Sequence, residues 1–448
     1  MFGYLLLSIL PLATSSVAIA YRRSRSLAPV IAVATLAVVF LAAGRTFPQW
    51  QVSEILLSFD PWSRMAYTSF LMLAALGIVY GWLAGENQRL FATGLAVTGF
   101  LGLTFSLSRD LLSAGVAFEL AALAAVFGFG LGTGDNSIGR KSMRYVSYLV
   151  VAGACLLGAL SLAARFEITR DPAIERIAFA LLAVFLLIVL GVFPFNMWFP
   201  RNLDRGELMM VALLASALSI GGAWLFVQSY ANFPWLLAEK SPISVLMAVA
   251  TFGTVASSLV AATRRRLDHL ISFSMASNTG TVVVGLATGS YLGVVGGMFA
   301  LLNSLFAILL LIMCVDIGRT GGENGEPGAG MRRTTTTILG LCLGGLALSG
   351  APLTAGYVGR WMIYEAVSDQ SGYLPFLLVI SSALVFLGFA RYLREVWALT
   401  APGETPEEEP AVLATIVTLL AMLILVVGVF PTPIIQTMSE AIAGMPFL

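Results

Sequence analysis

The sequence predicts an all-α integral membrane protein of about fourteen transmembrane helices, two of them broken by proline. Three observations carry that prediction. Of 448 residues, 58 % are hydrophobic and 11 % charged, with a mean hydropathy of +0.90; such a chain cannot cover its apolar surface in water. Apolar runs of about 17 to 25 residues, long enough to span a bilayer core, recur along its whole length. Two of those runs carry proline at matching places, Leu190-Gly-Val-Phe-Pro194-Phe-Asn-Met-Trp198 and Ser349-Gly-Ala-Pro352-Leu-Thr-Ala-Gly356-Tyr-Val-Gly-Arg360-Trp361. Proline inside a helix removes a backbone hydrogen bond and clashes with the preceding turn, and hydrocarbon offers no water as a substitute. Such breaks persist only where protein or a wet cavity surrounds them, and a pair in the two halves of a polytopic chain points to a duplicated transporter fold with an ion path near the midplane.

In order, the spans are expected at 2–20, 27–44, 64–84, 89–107, 110–133, 143–164, 176–199, 207–230, 242–263, 268–287, 290–316, 334–364 (broken), 373–397 and 410–432. The first ends in Ala18-Ile-Ala20, which loosely imitates a signal-peptidase site, but the basic cluster Arg22-Arg23-Ser-Arg25 follows it instead of preceding it. It reads as a retained helix. Residues 45–63, with Trp50, Asp60, Pro61 and Trp62, form a polar-aromatic outer segment too short and mixed to span. Most basic residues fall on one side of this topology, including Arg89, Arg140, Lys141, Arg144, Arg201, Arg205, Arg264, Arg265, Arg266, Arg319, Arg332, Arg333, Arg391 and Arg394. The positive-inside rule makes that side cytoplasmic, and an even helix count then puts both termini on the outer face, in a bacterial cytoplasmic membrane. The two longest polar interruptions, 318–333 and 401–410, are solvated loops or docking surfaces for a cytoplasmic partner.

Composition also excludes several functions. A net charge of +1 offers nothing to nucleic acid, so the expected surroundings are the lipid bilayer and a proton or monovalent cation. Cys155, Cys314 and Cys342 stand in apolar segments without metal-ligand spacing, and His269 is the single histidine. No metal, cofactor or catalytic constellation is therefore expected.

Charge at membrane depth is the remaining signal. Glu119 lies mid-run in Leu111-Leu-Ser-Ala-Gly-Val-Ala-Phe-Glu119-Leu-Ala-Ala-Leu with no other charge. An isolated ion there costs several kcal/mol, so the group is a neutral acid bonded to a neighbouring carbonyl or faces a partner or water as part of an ion path. Arg360 follows the second break and stays charged at any relevant pH; it can hold a carboxylate or shape a field but cannot shuttle protons as lysine can. Glu365, five residues on, is either its partner or an outer-interface residue. Arg391, Arg394 and Glu395 close the thirteenth span, where snorkelling accounts for them. Asp268 and His269 after Arg264-Arg-Arg266 form an interfacial ion cluster or a cytoplasmic proton entry.

Together these features resemble the antiporter-like membrane subunits shared by respiratory complex I, membrane-bound hydrogenases and Mrp-type cation antiporters. The acidic span residue is matched by Glu119. A Pro-Phe-His-x-Trp-x-Pro element is matched by Pro194-Phe-Asn196-Met-Trp198-Phe-Pro200, and Gly-x-Pro-x-Thr-x-Gly-Phe-x-x-Lys by Gly350-Ala-Pro352-Leu-Thr354-Ala-Gly356-Tyr-Val-Gly-Arg360. Asp60 and the stretch Arg266-Leu-Asp-His-Leu-Ile-Ser-Phe-Ser274 also agree. The resemblance implies three N-terminal helices in 1–85, inverted five-helix repeats in 89–230 and 242–397 that each contain a broken helix and a half-channel, and a last helix in 410–448. It also implies partners, namely other membrane subunits of a multi-subunit complex.

The departures are as informative. By the resemblance, the lysine before the first break falls on Val189, the lysine of the next span near Ser219, and the histidine and lysine of the eleventh span on Asn303 and Ala307. Histidines are replaced by Asn196 and Asn278, and the lysine of the second break by Arg360. Valine and alanine bind no protons, so a complete lysine relay is not expected here. Two function classes follow: an antiporter-like subunit of an energy-converting complex, either translocating protons or cations or degenerate and mainly structural, and a self-contained secondary transporter whose polar pocket would use Asn196, Asn303, Ser304 and Thr354.

Overall fold

The computed structural model describes residues 2–20, 27–52, 55–85, 89–130, 136–198, 208–238, 240–318, 334–398 and 411–445. Arg22, Arg23, Arg25, Pro200, Arg201, Arg205, Arg319, Arg332, Arg333 and the loop 401–410 therefore lie outside the described residues, as do the side chains of Arg140, Lys141 and Arg144. Among the described residues the fold is all-α apart from one short strand pair. Eleven helices among the described residues are long and apolar enough to cross a membrane. Shorter apolar helices add to them at Leu5–Ala20, Leu27–Ala43 and Thr335–Ser349. The protein is a multi-pass membrane protein. By contacts it divides into two compact units, residues 1–190, 209–246 and 437–448, and residues 191–208 and 247–436.

The first unit opens with α1 (Phe2–Tyr4), a π-helical turn Leu5–Ile9 and α2 (Leu10–Ala20), followed by α3 (Leu27–Ala43). The π turn has a local use: the Leu7 carbonyl accepts from the Tyr67 hydroxyl at 2.9 Å, in keeping with such turns freeing backbone groups. The expected outer segment contains a two-stranded antiparallel pair, β1 (Trp50–Val52) with β2 (Ile55–Leu57). α4 (Pro61–Leu83) starts on Asp60, whose Oδ1 accepts from the Ser63 amide at 2.7 Å, with proline at the first helical position. α5 (Arg89–Ser106), α6 (Leu111–Gly130), α7 (Asn136–Thr169) and α8 (Pro172–Val189) follow, and α9 (Leu208–Asn232) is apolar on every side over most of its length, with Gln228 and Asn232 in its last turns. Such a helix belongs inside a bundle, and α9 is almost wholly buried.

α10 (Lys240–Thr263) leads into the second unit, which continues with α11 (Leu267–Ala287), α12 (Tyr291–Gly318), α13 (Thr335–Ser349), α14 (Ala355–Ser368), α15 (Leu374–Ala398) and α16 (Ala411–Val429). α17 (Thr432–Ile442) was not anticipated, because its polar face breaks the apolar run that marks a span. α11 and α12 form the buried centre of this unit. Close helix approach depends on glycine, as membrane packing without a hydrophobic drive requires: a Cβ at Gly359 would sit 2.6 Å from the Ala300 amide nitrogen.

The two proline breaks differ. α8 ends at Val189, several residues short of the expected boundary at 199, because Leu190 and the left-handed Gly191 (φ 66°) turn the chain before the cis Phe193-Pro194 bond. A single 3₁₀ turn, Phe195–Trp198, follows. The second break is a discontinuous helix: α13 stops at the left-handed Gly350 (φ 73°), whose amide bonds the Ala347 carbonyl at 3.2 Å while Ala351 bonds Leu346 at 2.9 Å, a glycine-terminated cap. α14 resumes five residues later, at Ala355.

Candidate functional site

In the first unit, α6 lays the Glu119 carboxyl against Gly153 of α7; a Cβ at Gly153 would lie 2.4 Å from Glu119 Cδ. Any larger residue at Gly153 would displace the acid. Glu119 Oε1 is buried with no hydrogen-bond partner. Its chain neighbour Phe118 meets Phe185 edge to face at 5.9 Å and packs on Gly221. Val189, 1 % exposed, seats its Cγ1 2.5 Å from the place a Cβ of Gly222 would occupy. Hydrocarbon thus fills the position that the resemblance aligns with a relay lysine. Ser219, fully buried, has an Oγ without a partner.

A second polar cluster in this unit was only partly visible in the sequence. Asp60 Oδ2 accepts from Gln228 Nε2 at 3.2 Å, Gln228 Nε2 also donates to the Ser108 carbonyl at 3.0 Å, and Asn232 Nδ2 donates to the same carbonyl at 3.1 Å. Trp224 Nε1 donates to Ser63 Oγ at 3.2 Å. These bonds fasten the start of α4 and the α5–α6 turn to α9. Asp60-Pro61 signalled the helix start, but no local pattern signalled its partners more than a hundred residues away.

In the second unit, the first break brings Asn196 inside, 2 % exposed, with Nδ2 unpartnered, and leaves Pro194 exposed. The Phe193 carbonyl backs onto Gly253 of α10, where a Cβ would stand 2.8 Å away.

The second break is built around Arg360. Its side chain extends from α14 to the carboxyl end of α13 and is 3 % exposed. Nη1 donates to the Ser349 carbonyl at 2.7 Å and to Ser382 Oγ of α15; Nη2 donates to the Leu348 carbonyl at 2.7 Å and to Asn278 Oδ1 of α11 at 2.9 Å. Asn303 Nδ2 of α12 donates to the Ala347 carbonyl at 3.0 Å. The Leu348 and Ser349 carbonyls of the helix terminus are therefore satisfied by the guanidinium, which sits at the negative end of the helix dipole, and the Ala347 carbonyl, already bonded by the Gly350 amide, takes a second bond from Asn303. No carboxylate takes part, and Glu365 is exposed. Thr354 bonds the Ala351 carbonyl at 2.7 Å. Gly356 and Gly428 are required by close approach, since a Cβ would lie 2.2 Å from the Ala347 carbonyl oxygen or 2.5 Å from that of Leu353. Leu353 itself has φ 70° and is 73 % exposed, a conformation that costs a branched-chain residue energy and persists because the cap and α16 hold the loop. A bonded arginine can position and polarise, but it does not release a proton at any relevant pH.

Among the remaining candidates, Asp268 is buried in the first turn of α11 and pairs with Arg266 at 3.0 Å, where a carboxylate also suits the helix amino terminus. His269 beside it is half-buried.

The family described as NADH:quinone oxidoreductase/Mrp antiporter, TM, matches residues 108–388, more than half of the chain. An NADH-quinone oxidoreductase subunit N of Mycobacterium bovis is 26 % identical over 393 residues, covering 80 % of this chain and 72 % of the relative. An NAD(P)H-quinone oxidoreductase subunit 2 of Gloeobacter violaceus is 23 % identical over 447 residues, covering 91 % and 86 %. Among solved structures, a chain of the archaeal membrane-bound sulfane sulfur reductase superposes with TM-score 0.83 at 21 % identity, covering 98 % of this chain and 96 % of that one. A chain of respiratory complex I from Thermus thermophilus superposes with TM-score 0.79 at 18 % identity, covering 98 % of both.

Proposed function

Because the chain belongs to the NADH:quinone oxidoreductase/Mrp antiporter transmembrane family and is an antiporter-like subunit of an energy-converting membrane complex, we propose that it serves that complex mainly as a structural and coupling subunit, without a lysine relay of its own. The observation that carries this reading is the close packing of buried Val189 against Gly222, supported by an Arg360 committed to the end of α13. In this reading fourteen spans in two inverted repeats cross a bacterial cytoplasmic membrane with both termini outside. Other membrane subunits supply the driving reaction and the continuous path for protons or monovalent cations.

Affinity purification from native membranes in mild detergent tests the assembly claim. Co-recovery of quinone-, hydrogenase- or antiporter-type subunits is expected, whereas the chain alone would favour a free-standing carrier. Glu119→Gln tests the transport claim: assembly and ion flux in inverted vesicles are both expected to stay at the native level. A fall of tenfold or more would favour a second reading, in which Glu119 and Ser219, with their unpartnered buried oxygens, line a wetted partial path.

Restoring the missing amine is also informative. Val189→Lys should lower stability by several kcal/mol, since an ammonium would enter hydrocarbon beside Gly222 and Phe185 without a partner. A variant that melts with the native protein in detergent would mean that the site is wetter than its packing indicates.

A further inference from the structure

One end of the second unit gathers arginines outside the site described above. α10 stops at Thr263, and Arg264, Arg265 and Arg266 form the exposed turn into α11. Arg391, near the end of α15, donates through Nη2 to the Arg264 carbonyl, so the basic end of α15 and the basic turn share one face of the unit. Arg394, one turn further on, is exposed. Two of these charges are already engaged: Arg266 pairs with Asp268 at 3.0 Å, and Arg264 lies over the Phe273 ring at 5.6 Å. Arg265 and Arg394 are exposed, and Arg391 retains a buried Nε with no hydrogen-bond partner. Glu395 supplies one opposing charge on α15, which leaves the face positive.

Immediately beneath, α15 closes on the neighbouring helices at Gly388, where a Cβ would stand 3.1 Å from the Ala261 carbonyl and 2.9 Å from Leu270 Cδ1. Both α10 and α15 carry exposed apolar side chains below the arginines: Leu387, one turn before Arg391, is 57 % exposed, and Leu259, six residues before Arg265, is 51 % exposed. A free phosphate would use the charge and ignore this hydrocarbon. A phospholipid uses both.

We propose that the face formed by Arg265, Arg391 and Arg394 binds the phosphate of an anionic phospholipid of the cytoplasmic leaflet, with its acyl chains running along Leu259 and Leu387. Bound there, the lipid would bridge the α10–α11 turn to α15. Its headgroup charge would offset the three guanidinium groups at the membrane surface, where each is worth about 1 kcal/mol toward an anionic leaflet.

The test is a binding titration of the purified full-length protein in neutral detergent with phosphatidylglycerol, phosphatidylcholine and inorganic phosphate in parallel. Phosphatidylglycerol should bind at least tenfold more tightly than phosphatidylcholine, the preference should weaken at high salt, and phosphate alone should not compete. The double variant Arg265→Gln/Arg394→Gln alters two exposed side chains and should lose about thirtyfold in affinity for phosphatidylglycerol while melting like the native protein in phosphatidylcholine. Equal binding of the two lipids, an undiminished preference in the double variant, or competition by phosphate at comparable concentration would each overturn the assignment.

Discussion

Arg360→Ala is expected to be the most damaging single change in the second unit, lowering stability by about 3–5 kcal/mol, the range for truncating one partner of a buried charged network. The reason lies in what it strands. The carbonyls of Leu348 and Ser349 and the Asn278 amide oxygen all accept from this guanidinium, and in a buried setting no water replaces it. Removing the long side chain also opens a cavity against Gly350, where the methylene Cδ now lies 2.4 Å from a notional Cβ. Arg360→Lys should fall between the two, since one ammonium keeps the charge at the helix end but cannot reproduce a planar fork that bonds acceptors on α11, α13 and α15. Melting in detergent orders the variants: native and Glu119→Gln highest, Arg360→Lys intermediate, Arg360→Ala lowest. Equal midpoints for Arg360→Ala and Glu119→Gln would show that the cap contributes little.

Gly356→Ala is the second large expectation. One methyl group would be built 2.2 Å from the Ala347 carbonyl oxygen and 2.8 Å from Asn303 Nδ2. The nearest obstacle is backbone, which a rotamer change cannot move, so α14 must shift away from α13. A loss of about 1–3 kcal/mol is expected from such overpacking, and the displacement should reach Arg360, one turn along the same helix. The measurable sign is coupling: the combined Gly356→Ala/Arg360→Lys variant should lose less stability than the two single losses added, because both act on the same carbonyls. Strict additivity would indicate that the glycine and the arginine act at independent places.

Much of the architecture was legible in the chain because membrane insertion imposes a one-dimensional constraint. A span needs a certain length of apolar sequence, and hydrocarbon forbids unpaired backbone, so apolar run length, proline and glycine placed α4, α5, α9, α10, α11 and α12 to within a few residues of their positions. The same logic exposed Glu119 as an isolated acid and marked both breaks. It misplaced the end of α8, because an apolar run does not reveal that Gly191 will turn left-handed inside it, and it passed over the strand pair at Trp50–Val52 and Ile55–Leu57, which is too short to show alternation.

What remained for the tertiary structure was the choice of partners. By sequence, Glu365 stands close to Arg360 and reads equally as its counter-ion or as an outer-interface residue. In the folded chain the arginine turns to Asn278, Leu348, Ser349 and Ser382 instead. Likewise nothing near Glu119 in the sequence announces Gly153, and nothing near Val189 announces Gly222. Local pattern reports what a residue does to its own helix. The acceptors that satisfy a buried charge come from other helices, and only their packing decides whether that charge moves an ion or holds a broken helix together.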